Sequence, residues 1–204
     1  MSIRVVLATH NAHKVDEFQA ILATEIPELE IVAYDGPEPI EDGVSFADNA
    51  LLKARAAAAH TGLPALADDS GVCVGVLGGA PGIFSARWAG HGREAQANLD
   101  LLLDQLADIR DPHRTAWYSC TIAVVVPEQV DRAASEHLAV GEWRGRIADA
   151  PRGENGFGYD PIFVPDGSDV SAAELSAEQK NADSHRSRAF RELIPVLRMS
   201  VISN

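Results

Sequence analysis

Apolar positions along this chain alternate between short continuous runs and helical spacing, and each change predicts an element. Ile3-Arg4-Val5-Val6-Leu7-Ala8 is β-branched and apolar and reads as a buried strand. Thr9-His10-Asn11 breaks that run, and Val15, Phe18, Ile21 and Leu22 resume at the spacing of a helix with Asn11 as its N-cap. Residues 30–43 hold a small apolar patch, Ile31-Val32-Ala33, then prolines and acidic residues, and read as a loop or a linker to a second lobe. Ser45-Phe46-Ala47-Asp48 has the form of a capping box with Asp in the Glu position, opening an alanine-rich helix that stops at Gly62. Two apolar runs flank Asp68-Asp69-Ser70-Gly71, which reads as a turn between strands, and a glycine-rich loop follows as far as Trp88. Leu99, Leu102, Leu103 and Leu106 give residues 93–106 a packed helical face. Residues 115–126 form a long strand and 135–148 its antiparallel partner, which favours a mixed sheet. Ser184 caps a last helix, where Pro195 predicts a kink or an early end near Leu193.

Composition frames this pattern. At 204 residues and 46% hydrophobic content, the chain buries a substantial core and reads as one domain, 1–204, of two lobes. Against 17 Lys and Arg stand 30 Asp and Glu, a formal charge of −13 that argues against partnership with nucleic acid or anionic membranes. Any anionic ligand must therefore meet a few locally placed bases. With no long apolar leader and no membrane-length run, the expected location is the cytoplasm. Cys73 and Cys120 lack metal or redox spacing and read as buried thiols.

Chemistry concentrates in three places. Lys14 falls in the first turn of its helix, the wrong end for a cation unless an anion sits there too. With free backbone N–H groups beside it, the 9–14 segment reads as a phosphate cradle or as the start of an ordinary amphipathic helix. Asp68 and Asp69 suit a hard cation such as magnesium, or else an Asx turn; Glu41 is a second possible ligand or an exposed acid. Phe157 among glycines, with Asp160 close behind, suits a nucleobase by stacking and edge contacts, and equally a core ring followed by a turn. Bases again crowd a helix start at His185 and Arg186, where donors suit a purine 6-keto oxygen and N7.

Taken together, Thr9-His10-Asn11-Ala12-His13-Lys14, Phe46-Ala47-Asp48-Asn49-Ala50 with Lys53-Ala54, Leu66-Ala67-Asp68-Asp69-Ser70-Gly71, residues 78–87, Gly156-Phe157-Gly158-Tyr159-Asp160-Pro161 and Ser184-His185-Arg186 resemble the motif series of the RdgB-like inosine triphosphate pyrophosphatases. The resemblance runs in family order from residue 9 to 186 and implies an α/β fold: an elongated mixed sheet flanked by helices, in two lobes around a central active-site cleft. It also implies a homodimer and a Mg2+-dependent hydrolysis of ITP, dITP or XTP to the monophosphate and pyrophosphate. By matching position, Thr9, His10, Asn11, Ala12, His13 and Lys14 are implied to bind the triphosphate. Asp69 is implied as the catalytic, metal-binding carboxylate, with Glu41 as a further metal ligand, and Ser70 as a substrate contact. Phe157, Gly158, Tyr159, Asp160, Lys180, His185 and Arg186 are implied to recognise the base. His10 departs from a frequent glycine and His13 from a small residue. Two other readings stand beside this one: a pyrophosphatase for pyrimidine or modified triphosphates, and a nucleotide sensor without activity.

Overall fold

The computed structural model describes residues 2–92, 94–128, 130 and 133–202, with His13 described by its backbone alone. The elements run β1 (Ile3–Leu7), α1 (Ala12–Glu25), β2 (Leu29–Ala33), α2 (Phe46–Thr61), β3 (Ala65–Val74), α3 (Ala95–Gln105), β4 (Thr115–Val126), β5 (Ser135–Ile147), β6 (Phe163–Pro165), α4 (Ala177–Asp183) and α5 (His185–Leu197). Among the described residues the strands form one six-stranded sheet in the order β2-β1-β3-β4-β5-β6. β1 pairs in parallel with β2 and β3, whereas β5 and β6 are antiparallel, so the sheet is mixed, as the sequence pattern implied.

Several elements differ from the sequence reading. The 30–43 segment begins with a strand: Val5 and Ile31 face one another in register, and Leu29 and Ile31 are buried while Glu30 is exposed. An edge strand this short shows only two turns of alternation, too little to separate it from a loop. No turn interrupts residues 65–74, since Asp68-Asp69-Ser70-Gly71 lie inside β3. Polar side chains that find partners across a sheet need no break in the strand to reach water. The loop at 75–88 contains two 3-10 turns, Gly75–Leu77 and Gly82–Arg87. The helix expected over 93–106 is Ala95–Gln105, and Arg93 lies outside the described residues. β6 and α4 add two short elements, the latter opened by a reciprocal capping box of Ser176 and Gln179. Finally, α5 runs through Pro195 to Leu197 and continues as a π turn, Arg198–Ile202. Pro195 removes a bond to the Arg191 carbonyl on an exposed face, while Leu193, Leu197 and Val201 on the other face are buried and hold the chain in place.

By its contacts the chain divides into two compact units. Unit 1 takes its described residues from 1–69, 121–140 and 189–204, and unit 2 from 70–120 and 141–188. In unit 1 the alanine face of α2 (Ala50, Ala54, Ala57, Ala58) packs with Val6, Ala65, Ala67, Ala123 and Val125, small side chains that let a helix approach a sheet closely. Phe18 and Phe190 meet edge to face, with centroids 4.6 Å apart. Ser45 Oγ accepts the Asp48 N–H at 3.1 Å and donates to Asp48 Oδ2 at 2.7 Å, so the cap is one-sided rather than a full capping box. Gly62, at φ 69°, closes the other end of α2. Ser45→Ala is expected to lower stability by about 1 kcal/mol, read from the denaturant midpoint at constant slope; an unchanged midpoint would show the cap idle.

Unit 2 packs Val72, Val74, Leu99, Leu102, Leu106, Trp143 and Phe163 into its own core. Arg114 runs through it. Its guanidinium donates to the carbonyls of Leu106, Ile109, Ile147 and Ala148 at 2.7–3.0 Å, joining the C-terminus of α3 to the end of β5. Cys73 and Cys120 are buried free thiols, and burial pushes Cys73 up to about 11.

Candidate active site

In unit 1, the turn between β1 and α1 is closed by its own polar groups. Thr9 Oγ1 accepts the Asn11 N–H at 3.2 Å, and Asn11 Oδ1 accepts the Lys14 N–H at 3.4 Å, which makes Asn11 the N-cap the sequence predicted. Lys14 would be unfavourable beside the positive end of α1 without an anion. Asp68 of β3 is that anion: its buried carboxylate Oδ1 lies 2.5 Å from Lys14 Nζ.

Successive strand residues point to opposite faces, so Asp69 turns elsewhere. Asn49 Nδ2 donates to its Oδ2 at 3.1 Å, and Lys53 Nζ lies 4.0 Å from its Oδ1. The same ammonium pairs with Glu41 Oε1 at 2.9 Å. Asn49 and Lys53 stand four residues apart on α2 and so share one face; the Asn49 Oδ1 also accepts the Gly43 N–H at 2.9 Å, which ties down the segment carrying Glu41. Burial raises the Asp69 pKa, Lys53 and Asn49 pull it back in part, and Glu41 and Asp68 raise it further. Two carboxylates sharing one ammonium are an oxygen-only donor pair. Among the described residues no three His, Cys, Asp or Glu side chains form a ready-made metal group. The oxygen donors of Asp69 and Glu41 fit Mg2+, which usually takes one or two carboxylates and fills its shell with water and phosphate oxygens.

His10 faces away from the helix start. Its Nε2 lies 2.9 Å from the Gly36 carbonyl, its Nδ1 is 3.4 Å from Glu38, and its ring stacks on Tyr34 at 5.8 Å. Ala12 opens α1, and the His13 side chain lies outside the described residues. Arg55, on the same helix as Lys53, forms a two-pronged exposed pair with Glu136.

Unit 2 gathers the other set. Gly156 and Gly158 take left-handed φ of 80° and 64°, and a Cβ on Gly156 would lie 2.3 Å from Asp160 Oδ2, so the loop needs glycine to fold over that carboxylate. Phe157 between them is 81% exposed and is no core residue. Asp160 is 3% exposed; its Oδ2 accepts the Phe157 N–H at 2.6 Å and the Lys180 ammonium at 2.5 Å. Tyr159 is buried with its hydroxyl donating to the Ser85 carbonyl at 2.9 Å, and burial raises its pKa. Ser184 Oγ accepts the Ser187 N–H at 3.3 Å, capping α5 so that the half-buried His185 and Arg186 occupy its first turn. Ser70 is half-buried at the first position of this unit.

A sequence model of the Ham1 family matches residues 5–196. The chain belongs to the Ham1 family. It is 61% identical over 196 residues to a dITP/XTP pyrophosphatase of Leifsonia xyli, covering 96% of both chains. A solved Ham1 protein from Coxiella burnetii superposes with a TM-score of 0.86 at 41% identity over 96% of this chain and 98% of that one. A nucleoside-triphosphatase, named dITP/XTP pyrophosphatase, from Mycobacterium abscessus gives a TM-score of 0.81 at 44% identity, covering 95% and 100%.

In this Ham1 chain one contributor, Tyr118, escaped the motif reading. Asn49 and Lys53 belong to the 46–54 motif and do reach the acids Asp69 and Glu41, partners that no spacing named. Tyr118 looked like any strand residue of β4. Its hydroxyl donates to Asp160 Oδ1 at 3.3 Å, and its ring stacks on His185 at 4.8 Å and 14°. A tyrosine in an otherwise apolar strand was the available signal, since a buried hydroxyl requires a partner.

Proposed function

We propose that this chain is a Mg2+-dependent pyrophosphatase that cleaves ITP, dITP and XTP to the monophosphate and pyrophosphate. The observation that carries the chemistry is the convergence of Asp69 and Glu41 on Lys53, with the Lys14–Asp68 pair one residue away along β3. The substrate class rests on relatives named for dITP and XTP that share most of the chain's length.

In this reading Thr9, His10, Asn11, Ala12, His13 and Lys14 bind the triphosphate, through the backbone N–H groups of the α1 start and the Lys14 ammonium. Asp69 and Glu41 would hold the metal, which when bound neutralises charge on the leaving pyrophosphate. Asp69, whose burial strengthens its hold on a proton, takes one from the attacking water. Ser70 contacts the substrate beside it. Phe157 and Gly158 offer a ring and a close backbone to the face of the base. Lys180, His185 and Arg186 address its edge, Asp160 holds the Lys180 ammonium in place there, and Tyr159 anchors that loop through Ser85. The enzyme acts as a homodimer in the cytoplasm. Among the described residues no helix is long and apolar enough to cross a membrane, and the charge of −13 repels nucleic acid.

Pyrophosphate release measured across ITP, dITP, XTP, GTP, ATP, dTTP and UTP, with and without Mg2+, tests this. Inosine and xanthosine nucleotides are expected to exceed ATP by about 100-fold or more in kcat/KM, the discrimination that a site built for one hydrogen-bond polarity achieves. Comparable turnover of ATP, preference for a pyrimidine, or indifference to Mg2+ would overturn the reading.

A further inference from the structure

We propose that Tyr118 sets the discrimination against 2-amino purines by capping the Asp160 carboxylate, so that the base edge meets donors and no available strong acceptor. This rests on the base being read in unit 2.

Asp160 is the buried carboxylate among the base-reading side chains, and three protein donors already claim it. The Phe157 N–H at 2.6 Å and Lys180 Nζ at 2.5 Å hold Oδ2, and the Tyr118 hydroxyl at 3.3 Å holds Oδ1. A carboxylate offers about four lone-pair sites, so little capacity remains for a ligand. Burial and the Asp160 charge hold the Tyr118 hydroxyl well above its ordinary range, which keeps it a proton donor. Its ring is fixed on two sides, stacked on His185 at 4.8 Å and edge-on to Phe163 at 4.8 Å.

The purines differ in what they ask of such an edge. Hypoxanthine presents a 6-keto oxygen and only hydrogen at C2. Xanthine adds a 2-keto oxygen, a second acceptor that an ammonium such as Lys180 satisfies. Guanine carries a 2-amino donor there, and adenine a 6-amino donor. N1–H is shared by hypoxanthine, xanthine and guanine and discriminates nothing among them. Lys180 and Arg186 donate and do not accept. A 2-amino group desolvated against this edge loses its water partners without gaining a carboxylate, because Asp160 is occupied from within the protein. Tyr118 is therefore a positioning residue that acts through Asp160.

Tyr118→Phe keeps the ring against His185 and Phe163 and deletes only the donor. Its kcat/KM for GTP is expected to rise about tenfold, the worth of one recovered hydrogen bond, with ITP, XTP and ATP each within about threefold of the parent. An unchanged GTP-to-ITP ratio would overturn the proposal. So would a parallel rise with ATP, since a general loosening of the pocket relaxes both amino groups alike. Lys180→Met, assayed beside it, separates this failure from that of the underlying reading. A raised KM for ITP supports the base sitting at this cluster, and an unchanged KM removes the base from unit 2 and the inference with it.

Discussion

Asp69→Asn is expected to cut pyrophosphate release by on the order of 100-fold or more while raising the thermal midpoint of the metal-free protein. The two effects share one cause. Asp69 lies in β3 next to Asp68, with Glu41 on the same Lys53 ammonium, and burial outweighs the favourable contacts from Lys53 and Asn49, so its pKa is raised. A carboxyl whose pKa is higher folded than unfolded favours the fold when protonated. That contribution is present below the ordinary carboxylate range and is lost as pH rises through the folded value. At neutral pH the ionised group therefore weighs against the metal-free fold. Asparagine has the same shape and no charge, and its oxygen can still accept from Asn49 Nδ2, now 3.1 Å from Asp69 Oδ2. The gain in midpoint is expected to shrink on acidification, as the parent's own carboxyl protonates. Mg2+ should raise the parent's midpoint and leave that of the variant nearly unmoved, because a ligand stabilises only the state that binds it. An Asp69→Asn protein with normal turnover, or one stabilised by Mg2+ as much as the parent, would remove Asp69 from the metal and the chemistry.

The lysines follow one plan. Lys14, Lys53 and Lys180 each project from a helix onto a carboxylate, and each is only 17–25% exposed in its side chain. A free lysine side chain costs up to about 2 kcal/mol of rotamer entropy to immobilise. Here folding has already met much of that cost, so a triphosphate or a keto-purine encounters ammonium groups held in place before it arrives. This is how a chain of charge −13 supplies cations for an anionic substrate: the acids that dominate its composition orient the few bases.

What could be read from residues alone was what is written in local chemistry. The Asn11 cap, the Gly62 stop, the long strand 115–126 and the leucine face of α3 all depend on neighbours within a few positions, and the structure reproduces them. The interior of β3 was misread because Asp-Asp-Ser-Gly has turn chemistry locally, and only partners far along the chain, Lys14 and Asn49, remove the need for a turn. Pro195 was misread for the same reason, since burial of Leu193 and Leu197 decides where α5 ends. The motif residues were visible one by one; their pairing on Lys53, and on Asp160 through Tyr118, depends on tertiary packing that no spacing records.

Arg114→Leu is expected to destabilise the protein by about 3–5 kcal/mol, lowering the thermal midpoint by on the order of 10 °C. Arg114 is 3% exposed and belongs to no motif. Its Nη1 bonds Leu106 and Ile109, the carbonyls just past α3, where a cation also complements the negative end of the helix. Nε and Nη2 bond Ile147 and Ala148 where β5 ends, and Asp149 lies 3.5 Å away. Leucine fills most of the volume and satisfies none of these carbonyls, and each buried acceptor left without a donor carries a desolvation penalty of about 1–3 kcal/mol. Lysine is expected to recover only part of the loss: one ammonium has three donors at a single point, whereas the planar guanidinium reaches two elements at once. Because unit 1 supplies none of these contacts, Arg114→Leu should retain Mg2+-induced stabilisation even as its baseline falls. A leucine variant within about 1 kcal/mol of the parent would mean that water replaces the guanidinium at these carbonyls and that Arg114 is no structural cross-link.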